Sequence, residues 1–364
     1  MEISNKQVVF LRAGFLGDLL VSLPFIFYVI NKNNLSFKNV FFISFQRTNI
    51  NQELINKKVI NFVSLIFGKS FDNSYVVTNY SVKDLQNCVK EIRKRAHKPE
   101  IAFVYLPFGK EKKIDSIKKW LYFLKSGIRL NELFFAERNH KTNSEYLKFF
   151  KNVENINFGI DSLRMFLNEN NSYSENSKII FNNSILVYPN SQLKIKIWPL
   201  NSFINLIHEI LSKYDYNILL IGSQDDFEYN EIIVKQLNNN RVFNVAGKFS
   251  VEESLVYYKS AKMFIGNDGG PMHMAAIANI PVIGLFSFKE ELGIWDPTVS
   301  KSYVTFRTNV GCKVCNKLAC NSNICMQLIE ISDILIFVES ILKGDQHQKI
   351  IVNSSYISQY SISS

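Results

Sequence analysis

The sequence predicts an α/β fold with two doubly wound domains that face each other across a cleft, and three observations lead to this prediction. The chain has 364 residues, more than one hydrophobic core usually serves. Short apolar segments alternate with segments of helical periodicity, which is the pattern of a parallel sheet covered by helices. A polar stretch, Asn168–Ser177, separates two runs of this pattern and indicates a linker.

Each predicted element rests on an apolar run or on helical spacing. In the first half the predicted strands are Val8–Arg12, Val40–Ser44 and Ile101–Leu106, and the predicted helices are Leu19–Ile30 and Val82–Lys94. In the second half the strands are Ile185–Tyr188, Tyr216–Ile221, Val242–Val245 and Met263–Ile265, and the helices are Phe203–Lys213 and Phe227–Leu237. We therefore expect a first Rossmann-like domain over 1–165, a linker over 166–183, a second domain over 184–343 and a tail over 344–364.

Composition and charge narrow the choice of partners. The net charge of +10 at pH 7 favours anionic partners such as nucleotide phosphates, an acidic glycolipid or a membrane surface. The chain carries no helix-turn-helix, zinc-finger or RNA-recognition signature, so nucleic acid is not an expected partner. The apolar segment Val8–Ile30 contains Arg12 and Asp18, whose charges would be costly at mid-bilayer. With no secretion signal recognised, we expect a cytoplasmic protein.

The most informative segment runs from Ile265 to Phe286. It is predicted to form a buried strand, a glycine-rich turn, a helix over Pro271–Ala278 and a second strand from Pro281. Glycines before a helix leave its first N–H groups bare, and the positive end of the helix dipole then favours a phosphate or pyrophosphate. The candidate anion-binding residues are Asp268, Gly269, Gly270 and His273. The alternative is an ordinary turn followed by a core histidine.

A second glycine-rich loop follows the first predicted strand. It contains Gly14 and Gly17 and ends at Asp18, which opens the next helix. A carboxylate at a helix N-terminus is favoured by the helix dipole, so Asp18 could be a capping residue. It could equally be a general base at the mouth of the cleft, with Gly17 allowing a ligand to approach.

The loop after the first strand of the second domain carries Lys194 and Lys196 just before Trp198 and Pro199. A lysine at the carboxyl end of a strand can neutralise the charge of a departing diphosphate. Exposed lysines without a function are common, so that alternative stays open.

Four of the five cysteines lie in one short segment, at Cys312, Cys315, Cys320 and Cys325. In a cytosolic protein this spacing favours a metal over disulfides. Four thiolates suit tetrahedral zinc, with iron or an iron–sulfur cluster as alternatives. Such a metal would be structural, and we expect the segment to lie away from Asp18 and Asp268. Reduced thiols and disulfides are the remaining alternatives.

Three segments together resemble the bacterial lipopolysaccharide heptosyltransferase family, glycosyltransferase family nine. The run Arg12–Pro24 resembles its N-terminal Gly-Asp motif, and Lys196–Pro199 resembles its Lys-x-Trp-Pro motif. The run Asn244–Lys248 followed by Asp268–Ala276 is similar to its donor-site signature. One position differs, because many members carry Ser or Thr where this chain has Gly269.

The resemblance implies a GT-B type fold and an inverting sugar transfer that needs no metal or other cofactor for catalysis. Asp18 would deprotonate the acceptor hydroxyl. Lys196, with Lys194 nearby, and the N–H groups around Gly269 and Gly270 would stabilise the departing ADP. Asp268 and His273 would orient the diphosphate. Gln224 and Asp225 are weaker candidates for contacts with the ribose or adenine, and their loop could also be a plain helix cap.

The function expected from this resemblance is transfer of a heptose from ADP-heptose to a lipopolysaccharide core or a related glycan. The acceptor would be an anionic glycolipid or glycan, reached by peripheral contact with the inner membrane face. Two alternatives remain open: transfer of another nucleotide-activated sugar or onto a protein, and a catalytically silent subunit that binds a nucleotide sugar.

Overall fold

The structure, a computed structural model, describes residues 6–13, 26, 29–30, 33, 35–36, 39–46, 74–78, 81–96, 100–106, 121–135, 181–288, 292–293, 295–312, 320 and 322–353. The chain divides into two compact units, Met1–Phe166 and Leu167–Ser364. Within the described part, no helix is both long and apolar enough to cross a bilayer.

The first unit contains a five-stranded parallel sheet in the order β3-β2-β1-β4-β5. Its strands are β1 (Gln7–Ala13), β2 (Val40–Gln46), β3 (Ser74–Thr78), β4 (Ile101–Leu106) and β5 (Leu133–Phe135). In β1 the consecutive apolar residues from Val8 to Leu11 are all fully buried, as expected for a parallel strand covered on both faces. The strand order reverses between β1 and β4, so the loop after β1 starts where doubly wound sheets bind their ligands.

Helix α1 (Val82–Arg95) belongs to the same unit. Ser81 caps it by accepting a hydrogen bond from the Asp84 N–H. Leu85, Val89 and Ile92 are buried, and their spacing places them on one face of the helix. That amphipathic pattern is the one from which the sequence predicts a helix here.

The last turn of α1 forms an ion pair with the residue that precedes β5. Arg93 donates from Nη1 to Glu132 Oε1 at 3.0 Å and from Nη2 to Oε2 at 2.7 Å. Burial alone would raise the pKa of Glu132, but the hydrogen bonds from Arg93 and the Arg129 N–H outweigh it, and the pKa falls below its ordinary value of 4.5.

Glu132→Gln is therefore expected to lower the free energy of unfolding at pH 7 by about 1.5–3 kcal/mol, the usual contribution of hydrogen bonds to a charged group. The folded-state pKa is lowered, so this stabilisation is fully present above the unfolded pKa. It is lost as the pH falls through the folded value. Urea unfolding of parent and variant between pH 7 and pH 3 should show the two curves converging below about pH 4.5.

Glu100→Gln is the matched control, since Glu100 pairs with Lys6 at 3.1 Å but its side chain is 67% exposed. Exposed pairs contribute little, so this control should stay close to the parent at every pH. A constant difference between Glu132→Gln and the parent down to pH 3 would contradict the prediction.

The second unit contains a seven-stranded parallel sheet in the order β12-β11-β10-β9-β6-β7-β8. Its strands are β6 (Ser184–Tyr188), β7 (Asn217–Leu220), β8 (Val242–Asn244), β9 (Met263–Asn267), β10 (Val282–Leu285), β11 (Tyr303–Thr308) and β12 (Gln348–Asn353). Its helices are α2 (Leu200–Lys213), α3 (Phe227–Leu237), α4 (Val251–Tyr258), α5 (Gly270–Ile277), α6 (Ile324–Gln327) and α7 (Ile331–Leu342). Strands β6, β9, β10 and β11 are buried along their whole length. The first three are mostly apolar, as expected for parallel strands covered on both faces, whereas β11 contains two threonines and Arg307.

The α/β class and the two doubly wound parallel sheets are confirmed. The predicted elements Ile101–Leu106 and Phe227–Leu237 have the observed bounds. The predicted helix Leu19–Ile30 lies mostly, and the predicted linker Asn168–Ser177 entirely, outside the described residues.

Most other predicted elements differ from the observed ones by one to three residues at an end, and strands β3, β5 and β11 were not predicted. Two further differences are informative. Helix α5 begins at Gly270 with Gly269 as its N-cap, so Pro271 occupies the second helical position rather than the first. Strand β12 lies in the stretch expected to be a tail, where Gln348–Asn353 pairs in parallel with β11. Half of its residues are polar, so it does not form a long apolar run in the sequence. This composition is tolerated because β12 is at the end of the strand order and is less buried than the central strands.

Candidate functional site

The carboxyl ends of β6 and β9 form the centre of the candidate site. These strands are neighbours, with Tyr188 paired to Gly266, and the strand order of the second unit reverses between them. At such a switch point the loops after the two strands turn in opposite directions and leave a crevice for a ligand. The loop after β6 carries Lys196, and the turn after β9 carries Asp268.

Helix α5 starts directly in this crevice. Gly269 is its N-cap, and no side chain there occupies the first N–H groups. The backbone of Gly269 is extended, with φ 178°, so strain does not explain the glycine. A Cβ at this position would stand 2.9 Å from Cε1 of Tyr188. A Ser or Thr at this position would therefore require the ring of Tyr188 to move.

Lys196 and Asp268 form an ion pair at the start of α5. Lys196 Nζ lies 2.5 Å from Asp268 Oδ2, and the side chains are only 17% and 5% exposed. On the other side of the same carboxylate, His273 Nε2 lies 3.9 Å from Asp268 Oδ1. One anionic group thus aligns a lysine and a histidine beside the positive end of a helix, an arrangement suited to binding a diphosphate.

Lys194 lies on the same single 3₁₀ turn, Lys194–Lys196, but its side chain is exposed. The structure therefore brings Lys196, Asp268, Gly269, Gly270 and His273 together as the sequence predicted, and distinguishes Lys196 from Lys194. The distinction follows from local geometry, because a 3₁₀ turn has three residues per turn and its first and third side chains therefore point in different directions.

Asn267 is a functional-site residue that the sequence analysis missed. Its side chain is fully buried, and Oδ1 accepts a hydrogen bond from the Trp198 N–H at 3.0 Å. Its Nδ2 donates to the carbonyls of Pro189 at 2.9 Å and Asn190 at 3.3 Å. The amide thus fastens both ends of the loop that carries Lys196 to the end of β9, directly before Asp268. Its position between a buried strand and the candidate aspartate was the available signal.

Trp198 anchors the same loop in the hydrophobic core of the second unit. It is fully buried, its Nε1 donates to the Ile329 carbonyl at 3.2 Å, and its ring meets Phe203 edge to face at 4.9 Å between centroids. The tryptophan that follows Lys196 in the motif is therefore a core residue that fixes the loop, and it is not a ligand contact.

The loop after β7 is organised around Asp226 rather than around the predicted Gln224 and Asp225, both of which are exposed. Asp226 is buried and accepts from the Ser223 N–H at 2.7 Å and from Asn190 Nδ2 at 2.7 Å. The plain cap that the sequence analysis left as an alternative is thus present, and it also ties this loop to the loop after β6. Gln224 and Asp225 remain predictions as nucleotide contacts.

A buried ion pair lies at the end of β11. Arg307 and Asp296 side chains are fully buried, and Arg307 Nη1 donates to Asp296 Oδ1 at 2.7 Å and Nη2 to Oδ2 at 2.9 Å. The guanidinium also covers the ring of Phe286 at 3.9 Å. This pair was not predicted from the sequence, where the available signal was an arginine among the alternating apolar residues of Tyr303–Thr308.

Asp18 and Gly17 lie outside the described residues, so their roles stay predictions. The strand that precedes them in the sequence, β1, is the central strand of its sheet. Cys315 also lies outside the described residues. Among the residues that are described, no group of three or more His, Cys, Asp or Glu side chains is arranged to hold a metal ion.

The described end of the cysteine-rich segment contacts the loop that carries Lys196, a contact that was not predicted; its expected separation from Asp18 and Asp268 stays a prediction. Asn323, between Cys320 and Cys325, donates from Nδ2 to the Ile197 carbonyl at 2.9 Å. Ile197 is the residue after Lys196. The sequence could not show this contact, because it joins positions more than a hundred residues apart.

Comparison with known proteins decides the family. The model of glycosyltransferase family 9 (heptosyltransferase) matches residues 134–324, just over half of the 364-residue chain. The chain belongs to glycosyltransferase family 9. It is accordingly a glycosyltransferase, as the resemblance of its motifs implied.

Three similar proteins illustrate the match. Lipopolysaccharide heptosyltransferase 1 of Campylobacter coli is 29% identical over 256 residues, which cover 66% of this chain and 70% of the relative. The structure of ADP-heptose lps heptosyltransferase II of E. coli is similar with a TM-score of 0.59 and 14% identity, covering 93% and 98% of the two chains. The iron-containing dodecameric glycosyltransferase TibC of enterotoxigenic E. coli has a TM-score of 0.51 at 12% identity, covering 94% and 80%. At these identities the two solved structures establish the fold.

Proposed function

We propose that this glycosyltransferase transfers a heptose from ADP-heptose to a lipopolysaccharide core or a related glycan. The observation that carries the proposal is the Lys196–Asp268 pair at the bare N-terminus of α5. Family membership, the names of the relatives and the net charge of +10 support the same donor and an anionic acceptor. The protein would work in the cytoplasm, with peripheral contact to the inner membrane face.

The proposed reaction is a single displacement with inversion. Asp18 takes the proton of the acceptor hydroxyl, whose oxygen forms a bond to the anomeric carbon. The bond from that carbon to the β-phosphate oxygen breaks, and ADP leaves with the electron pair. Lys196 and the N–H groups at the start of α5 stabilise the charge that develops on the diphosphate. Asp268 and His273 hold Lys196 and the diphosphate in register, with no metal or cofactor in the chemistry.

Incubation with a panel of nucleotide sugars, followed by measurement of nucleotide release, tests the proposal. ADP release from ADP-heptose, stimulated by a lipopolysaccharide-core acceptor, is the expected result. Release from another nucleotide sugar alone would favour a different donor. Tight binding of ADP-heptose without release of ADP in the presence of any acceptor, including a protein, would favour a catalytically silent binding subunit.

We also propose that the cysteine-rich segment binds one structural metal ion per chain, zinc or iron. Its support is the spacing of Cys312, Cys315, Cys320 and Cys325. Chelation should lower the melting temperature before it lowers transfer, because the affinity for a structural metal is part of the folding free energy. Elemental analysis of protein purified without chelator checks the stoichiometry. Clearly less than one zinc plus iron per chain would contradict the proposal and leave reduced thiols or disulfides.

A further inference from the structure

The residues after Cys320 lie on the backbone that carries Lys196. Asn323 Nδ2 donates to the Ile197 carbonyl at 2.9 Å, and Trp198 Nε1 donates to the Ile329 carbonyl at 3.2 Å. The first bond holds the residue after Lys196 against the cysteine-rich segment, and the second holds Trp198 against the backbone that follows this segment. The second unit places these contacts next to the proposed diphosphate site.

The opposite side of the same short backbone is held by Asn267, which accepts a hydrogen bond from the Trp198 N–H at 3.0 Å. The lysine side chain has many rotamers, so holding its ammonium beside Asp268 requires a fixed backbone. Asn267 supplies one anchor and Asn323 supplies the other. Loss of either anchor would remove one of the two restraints that hold the Lys196 backbone in place relative to Asp268.

Asn323 is suited to this role by its conformation and its bonds. It adopts the left-handed region, with φ 42°, which asparagine tolerates better than other residues with a Cβ. Its N–H donates to Cys320 Sγ at 3.4 Å. Its Oδ1 is buried and has no hydrogen-bond partner among the described residues, so the position carries a cost. The favourable interaction of this side chain is the hydrogen bond from Nδ2 to the Ile197 carbonyl.

We propose that Asn323 is a positioning residue for Lys196, and that through it the cysteine-rich segment and the Lys196–Asp268 pair influence each other. This proposal depends on the proposed function in one respect, namely that ADP is the ligand that binds at Lys196. Coupling between two sites is reciprocal, so occupation of the Lys196 site must stabilise the segment, and loosening the segment must weaken binding at Lys196.

Asn323→Gly and Asn323→Asp test the proposal. Glycine retains the left-handed conformation, and aspartate retains the shape of the side chain, but neither can donate to the Ile197 carbonyl. Asn238→Gly is the matched control, because Asn238 also has φ 42° but ends α3 with an exposed side chain. Melting curves should confirm that all variants fold.

The first measurement is independent of ADP. Acetylation of Lys196 by acetic anhydride, referenced to Lys194 in the same protein, is expected to be several-fold faster in both Asn323 variants and unchanged in the control. Equal Lys196 labelling in the parent and the Asn323 variants would overturn the proposal.

The second measurement uses ADP. Both Asn323 variants should bind it about 5-fold or more weakly by calorimetry, the lower range of allosteric coupling. ADP should slow hydrogen exchange across Cys320–Gln327 in the parent and in Asn238→Gly but not in the Asn323 variants. Parent-like affinity and protection in the Asn323 variants would also overturn the proposal. Absence of ADP binding by the parent would instead count against the proposed function, and the labelling result would then decide the role of Asn323 alone.

Discussion

Asp18→Asn is expected to lower turnover by about 10²-fold or more while ADP affinity stays close to that of the parent. This is the usual effect of losing a general base, because asparagine cannot take the proton of the acceptor hydroxyl. In the sequence Asp18 comes shortly after β1, the strand at which the order of the first sheet reverses. Steady-state transfer rates with saturating donor, together with calorimetry for ADP, separate the two effects.

Asp215→Asn is the control for this variant, because the Asp215 side chain is 99% exposed and contacts Arg241 only at 3.5 Å. It should transfer sugar at the parent rate. If Asp18→Asn also transfers at the parent rate, Asp18 is a helix cap, as the alternative interpretation of the sequence holds. Because asparagine caps a helix about as well as aspartate, the melting temperature of this variant should then also stay close to that of the parent.

The sequence could predict most strands of the two sheets, because parallel strands covered on both faces are often continuous apolar runs. The segments Val8–Leu11 and Ile185–Tyr188 are fully or almost fully buried, and no polar residue interrupts them. Strand β12 shows the limit of this signal. Its outer edge has no neighbour among the described strands, and its residues are half-polar as a result.

The candidate site could be predicted in part, for a different physical reason. Asp268, Gly269 and Gly270 are adjacent in sequence, so the chemistry of a helix N-terminus is visible in a short window. Lys196 could be assigned to the site only through its motif, since its pairing with Asp268 spans 72 positions. Asn267 and Asn323 were missed because a buried amide is informative only through its partners, and those partners are distant backbone groups.

Lys196→Ala is expected to lower kcat/KM by about 10²–10³-fold, the range seen when one group that stabilises a developing negative charge is removed. It should also weaken ADP binding, because the ammonium is the positive charge that Asp268 aligns beside α5. Alanine leaves the nearly buried Asp268 carboxylate without this partner, so the melting temperature should fall as well. Lys196→Arg retains the charge, so its melting temperature should fall less than that of the alanine variant.

Lys194→Ala is the matched control, as it removes an identical side chain from the same 3₁₀ turn at an exposed position. Its transfer rate, ADP affinity and melting temperature should remain within about twofold or a degree or two of the parent, as for most surface substitutions. Equal losses of ADP affinity in both alanine variants would mean that the long-range charge of the loop matters and that the Lys196–Asp268 geometry does not. The ion pair at the start of α5 would then not support the proposed function. An ammonium accelerates transfer only where it is positioned to stabilise the transition state more than the bound donor.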